Sequence, residues 1–431
     1  MRLSTSMLFD IGMRGLQQQQ SKQLELQEKI AAGTRVLKPS DDPAAAALII
    51  GLEQVKDINA QYAANAASAN ATLLLEEQAL ADATRVLQDV KTLAVQAGNP
   101  VLQNEDRKSI ATEMRALYDE LLGIANRTDG KGQYLFSGFQ GTTQPFSESA
   151  PGTVAYAGDE GDRLVQVGTE RRIAVGDNGA EVFQRVRAGN GTFVVDSGGN
   201  TGTGVAGAGT VRDGQAWANP VNSGNYSIRF FVDGATNVTT YDIVNDATNI
   251  SMLTGIAPAA GPHARVYQPG AVIELRRLAG DPIGAAWDTG VQVDISGAPA
   301  TADRFDVDRS PMQDIFATVH GLVDTLRTGI APGPTSRAAY QNGLNSAGAS
   351  IDRAFESILT ARSSVGSRLR EIQSVEETTR DVALNYEKDR SRLVDLDYAQ
   401  ALSDFARSQV SLEAAQRSYI AVTKLKLFDF L

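Results

Sequence analysis

The sequence predicts a mainly α protein with a β-rich insert, in which N- and C-terminal helices pair into coiled-coil and helical-bundle domains. Three observations carry that prediction. Tyr398, Phe405, Leu412 and Tyr419 fall seven positions apart, and Ala401, Ala415 and Val422 follow three of them at +3, which is a coiled-coil seam. Eight of the fourteen prolines lie between residues 145 and 307, glycine is dense from Gly189 to Gly214, and the flanks are rich in Ala, Leu and Gln. An apolar helical stripe needs a partner to cover it, and the matching helix lies at the opposite end of the chain.

A first helix is expected from about Leu3 to Ala32, with Gly33 as its stop. Ser40, Asp41, Asp42 and Pro43 mark a new start, a polar cap followed by a proline whose missing N–H costs nothing there. From Leu52 through Val55, Tyr62, Ala66, Ala69, Leu73, Leu80, Ala83, Leu87 and Val90 to Ala94, apolar residues alternate in steps of three and four, ending at Gly98-Asn99-Pro100. A third helix from about Asn104 to Thr128 folds back along it. In the insert, Tyr226, Ile228, Phe230 and Val232 alternate with polar neighbours, Asp233-Gly234 supplies a turn, and Val238 to Val244 returns. Val291 to Ile295 alternates similarly, and an earlier pair, Leu164–Val167 and Ile173–Val175, caps the helical domain.

Ser310-Pro311 is expected to open the next helix and Gly329 to Pro334 to interrupt it. A second long seam then runs from Leu344 through Ile351, Ile358, Val365, Ile372 and Val382 to Leu396. The seam starting at Tyr398 is out of phase with it, so a domain boundary falls near residue 392, with 33–42 as its counterpart. The expected domains are residues 1–42 with 392–431, residues 43–185 with 306–391, and the insert 186–305.

Composition narrows the function. With 431 residues the chain can build several cores, and no apolar run approaches membrane-spanning length. A formal charge of −11 argues against nucleic acid, and the absence of cysteine excludes thiol chemistry. The first residues lack the apolar core of a secretory signal, which leaves a cytoplasmic protein or one exported by another route.

No catalytic, cofactor or metal residues are expected. His320 lacks a second histidine at i+4, and His263 follows Pro262 in a loop. Gly202-Thr203-Gly204-Val205-Ala206-Gly207 spells G-x-G-x-x-G, but no helical pattern follows it, so it reads as a flexible loop. Asp303, Asp306 and Asp308 read as a solvated linker. The terminal seam is different. Each fully buried large side chain contributes about 1.5–3 kcal/mol, while ordering costs about 1 kcal/mol or more per residue, so two such helices break even at best. They are expected to order when many copies pack, with Leu412 solvent-exposed in a lone subunit.

Several stretches resemble bacterial flagellins. These are residues 87–97, the return at 119–126, and Gly33-Thr34-Arg35 with the start at Ser40. Arg2 to Phe9, Tyr134-Leu135-Phe136-Ser137-Gly138, Gly158 to Arg163, Asp395-Leu396-Asp397-Tyr398 and Leu427-Phe428 are similar to the hook-associated junction members of that family. The resemblance implies a terminal coiled coil, an inner helical domain and an outer antiparallel β domain. It also implies export through the flagellar type III apparatus and a place at the hook–filament junction. Its implied partners are hook-associated protein 1, flagellin, neighbouring copies in a ring and an export chaperone on the C-terminal helix, with no membrane or nucleic acid. The assembly interface is expected at Tyr398, Leu402, Phe405, Leu412, Tyr419 and Val422. A filament flagellin, or an enzyme carried on the insert, are the alternative readings. The insert matches no named module.

Overall fold

Punctuation by proline, glycine and aspartate sets the helix ends. In a computed structural model that describes residues 5–259 and 261–428, seven α-helices are present: α1 (Thr5–Ala32), α2 (Pro43–Ala97), α3 (Asn104–Ala125), α4 (Gly214–Ala218), α5 (Ile315–Thr328), α6 (Pro334–Val394) and α7 (Tyr398–Phe428). The expected start at Leu3 lies outside the described residues. Gly33, at φ 71°, ends α1 in the left-handed conformation that costs glycine nothing. Asp42 accepts a hydrogen bond from the Ala45 amide (3.0 Å) and so caps α2. The Asp397 carboxylate does the same for α7, accepting from the Ala399 and Gln400 amides at 3.0 and 3.1 Å. The break between the two C-terminal helices therefore falls at 395–397, just beyond the expected position.

The chain divides into two compact units, Met1–Ala67 with Gln166–Arg171 and Gln373–Leu431, and Ser68–Val165 with Arg172–Ile372. Both boundaries inside the long helices fall away from their ends.

In the second unit, Leu73, Leu80, Leu87 and Val90 of α2 are buried, as are Met114, Tyr118 and Leu121 of α3. Phe316, Val319 and Val323 of α5 and Ile351, Ile358 and Val365 of α6 complete the bundle core. An aromatic cluster ties α5 to the segments before the insert: Phe136, Phe146, Phe183 and Phe316 meet with centroids 5.1–5.9 Å apart. Such pairs contribute about 0.5–1.5 kcal/mol each beyond their buried area.

The insert is antiparallel throughout. One sheet orders its strands as Ile250–Ser251, Thr239–Asn245, Tyr226–Val232, Arg304–Arg309 and Phe193–Asp196, with Arg265–Val266 also on Thr239–Asn245. A second sheet runs Val272–Arg276, Asp288–Ser296, Val205–Ala206, with Thr210–Val211 also on Asp288–Ser296. Alternation sends Tyr226, Ile228 and Phe230 inward with Ile243, Val291, Val293, Ile295 and Phe305 into one shared core.

Four expectations are corrected here. Residue 305 is not an edge of the insert but lies inside the strand Arg304–Arg309, which pairs with both Tyr226–Val232 and Phe193–Asp196. Ser310-Pro311 does not open a helix. The Ser310 hydroxyl donates to the Ala188 carbonyl (2.7 Å), Met312–Gln313 pairs with Val186–Arg187, and α5 starts under Asp314, whose carboxylate accepts from the Phe316 amide (2.7 Å). Asp303 is not solvated: it is 2% exposed and accepts from the Thr201 (2.7 Å), Gly202 (3.0 Å) and Ala300 (2.8 Å) amides. That carboxylate also pins the glycine-rich stretch, where Val205–Ala206 pairs with Ile295 and Ser296, so the loop is stitched down rather than flexible.

Candidate assembly surface

The two terminal helices are held in antiparallel register by a short knuckle. Arg35 donates its amide to the Val394 carbonyl (2.8 Å) and Leu396 donates to the Gly33 carbonyl (3.1 Å). Arg35 then spans from the Leu393 carbonyl (3.2 Å) to Asp42 (3.1 Å). The Ala45 amide, followed by the Arg35 guanidinium, holds the Asp42 carboxyl below its ordinary range. At the far end, Phe9 meets Tyr419 edge-on with centroids 6.2 Å apart, and Gly12 lies under the Tyr419 ring. A small residue there lets the aromatic approach the α1 backbone.

Between these ends the seam has two sides. Ala401 and Ser408 are buried, and Phe405, Leu412, Ala415 and Tyr419 are half-buried, a 4-3-4-3 succession facing α1. The expectation that Leu412 is solvent-exposed in a lone subunit is thereby corrected, because its own chain supplies partial cover. Leu402 is 53% exposed and Val410 67%, and Tyr398 is also exposed. On α1, Met7, Ile11, Met13 and Leu24 are exposed. The side chain of Val422 lies outside the described residues.

A second apolar surface in the same unit was not legible as such. The first half of α2 exposes Leu48, Ile50, Val55 and Ile58. A groove of about 330 Å³, lined by Ile58, Tyr62, Val167, Val375, Val382 and Tyr386, lies alongside. Its walls are tied by Asn59 donating to the Thr379 carbonyl (3.0 Å) and by the Lys56–Glu387 ion pair. Val55, Ile58 and Tyr62 follow an i, i+3, i+7 repeat that marks a stripe, but it does not say whether the cover comes from the same chain.

Both histidines pack against aromatic rings. His320 packs edge-on against Tyr118 at 6.1 Å and sits 3.2 Å from Asp324. His263 packs on Phe231, and burial pushes its pKa down. Among the described residues no group of three or more His, Cys, Asp or Glu could hold a metal ion, and no helix is long and apolar enough to cross a membrane.

The sequence and the fold have known relatives. Residues 3–141 match the family described as the bacterial flagellin N-terminal helical region. Over 429 residues, 100% of this chain and 99% of the relative, the sequence is 24% identical to flagellar hook-associated protein 3 of Escherichia coli strain K12. A stretch of 186 residues, 43% of this chain, is 36% identical to flagellar hook-associated protein 3 of Salmonella typhimurium and spans 58% of that protein. The crystal structure of flagellar hook-associated protein 3 from Legionella pneumophila has a TM-score of 0.70 at 30% identity, covering 98% of that chain and 80% of this one. These relatives are structural proteins of the flagellum. The chain belongs to the flagellar hook-associated protein 3 family of the bacterial flagellins.

Proposed function

We propose that this chain is the junction subunit of a bacterial flagellum, packing its terminal helices between hook-associated protein 1 on the hook and flagellin in the filament. The observation that carries the reading is the α1–α7 pair. Each helix covers only part of the other's stripe, and Leu402 and Val410 stay exposed on one helix with Met7, Ile11 and Leu24 on the other. Neighbouring copies in a ring supply the missing cover. Of the expected assembly residues, Tyr398 and Leu402 meet neighbouring copies, while Phe405, Leu412 and Tyr419 hold α7 on α1 within the subunit.

Three packing levels follow. Residues 1–42 with 392–431 line the axis, residues 43–185 with 310–391 form the inner helical layer, and the insert, which includes the strand Arg304–Arg309, lies outermost. The subunit leaves the cell by the flagellar export route, with a chaperone on α7 covering the stripe until assembly. It carries no enzymatic activity. Gold-labelled antibody against the insert, applied to intact flagella, tests the placement. A single short band between hook and filament is expected, and label repeated along the filament would instead identify a filament flagellin.

A further inference from the structure

Glu76 is a carboxylate in the wrong place for a surface helix. It lies on the bundle side of α2, is 0% exposed, and has one oxygen with no hydrogen-bond partner. Its other oxygen accepts from the Asp177 amide at 2.8 Å. Asp177 lies between the strand Arg172–Ala174 and the π-helical turn Ala180–Gln184, and both its carboxylate oxygens accept from Arg368 of α6, at 2.6 and 2.7 Å. Arg368 also donates to the Ala174 carbonyl at 3.3 Å. The nearby charges are already engaged: Glu77 pairs with Arg362 (2.6 Å), and Arg163, beside Gly176, donates to Gln133. Asp162 adds a further negative charge facing Asp177. The buried Glu76 carboxylate and the half-buried Asp177 carboxylate therefore lie under the charge of one guanidinium, which bonds only Asp177. Like charges at such a site cannot both ionise cheaply, and an ionised Glu76 would leave its second oxygen charged and unbonded.

We propose that Glu76 and Asp177 share one proton beneath the Arg368 guanidinium, and that this proton clasps residues 175–179, and the turn Ala180–Gln184 after them, onto α2 and α6. With the proton in place the three groups sum to zero charge. When it leaves for solvent base, a net negative charge is buried and the clasp loosens. Burial first, then the Asp177 charge, pushes the Glu76 carboxyl from 4.5 up to about 8, which agrees with this geometry. Because the folded state holds the proton more tightly than the unfolded chain, the stabilisation is complete below the unfolded value and is lost as pH rises through the folded one. Across that window the unfolding constant grows about tenfold per pH unit, which is about 1.4 kcal/mol.

The test uses the full chain and two readouts. Infrared spectra of the wild type at pH 7 are expected to contain a protonated-carboxyl band that disappears near pH 8–9, is missing in Glu76→Gln, and titrates at lower pH in Asp177→Asn. Denaturant unfolding between pH 5.5 and 8.5 is expected to lose one proton's worth of slope in Glu76→Gln, which then unfolds later than wild type at pH 8.5. Equal slopes in the two proteins, or no such band in the wild type at pH 7, would overturn the proposal. If Glu76→Gln does not fold, the wild-type band and its shift in Asp177→Asn decide the matter.

Discussion

Two side chains show how single residues set the stability of the fold. Arg265 is buried beside Asp281, with N–O distances of 2.9 and 2.7 Å, and its remaining N–H groups donate to the Glu274 and Arg276 carbonyls. Those carbonyls belong to the edge strand Val272–Arg276 of the second sheet, while Arg265 itself is in a strand of the first. One guanidinium thus blunts a sheet edge and ties two sheets together. Arg265→Ala strands a buried carboxylate and is expected to destabilise the protein by about 3–5 kcal/mol, read by denaturant unfolding with Trp217 and Trp287 as probes. Asp314 works in the opposite sense. Burial pushes its carboxyl from 3.8 up to about 6, against the Phe316 amide that pulls it down. A raised folded pKa means the contribution is present below the unfolded value and gone once pH passes about 6, so at pH 7.5 the cap bears an unwelcome charge. Asparagine keeps the cap without the charge. Asp314→Asn is expected to stabilise by about 1 kcal/mol at pH 7.5 and to lose that advantage below pH 5, checked by melting at both values. Neither effect is legible in the sequence, because an Arg or Asp in a list of residues carries no sign of its burial.

At the scale of elements, the two sides of α7 differ in burial, and under the proposed function one side serves folding and the other assembly. Leu412 is half-buried against α1, and Leu402, ten residues earlier on the same helix, is exposed. Leu402→Asp leaves the α1–α7 contacts in place, so monomer helicity and protease resistance are expected to match wild type while filament attachment fails. Leu412→Asp puts the charge into the intrachain seam, and loss of both helicity and attachment is expected. Circular dichroism of the purified subunit, beside counts of filamented cells, checks the pair. Equal behaviour of the two variants would merge the faces. The heptad was plain in the sequence because bulky residues every seven positions leave few alternatives. Which chain covers each residue was not, because periodicity reports a stripe and not its partner.

For the whole molecule, the insert closes on itself as a module grafted into a helical frame. Thr192 accepts from the Ser310 amide at 3.1 Å, so the chain enters and leaves at one point, and Val186–Arg187 with Met312–Gln313 forms the stem. Replacing residues 193–309 with a short Gly/Ser link is expected to leave a soluble protein with the bundle's melting behaviour. Cutting at 190 and 304 instead leaves Phe305 and Val307 on a strand without neighbours, and aggregation is expected. Size-exclusion chromatography and calorimetry of the two deletions distinguish these outcomes. Asn342 and Asn345 of α6, which bond the Gly204–Ala206 backbone in the intact protein, become solvent-facing in both. The relevant difference is therefore the orphaned strand.

By itself the sequence determined the helical frame, its punctuation at 33–42 and, to within a few residues, the second break it placed near 392, and the β character of the insert. Those features rest on local rules: periodicity, caps, proline and glycine. Only the tertiary structure decided that Asp303 is a buried staple, that Arg304–Arg309 belongs to the insert's sheet, that Leu412 and Leu402 face different ways, and that Glu76 meets Asp177 under Arg368. Each of these joins residues far apart in the sequence, or depends on what a side chain is buried against. Strand pairing and desolvation are properties of the packed chain, and no local pattern encodes them.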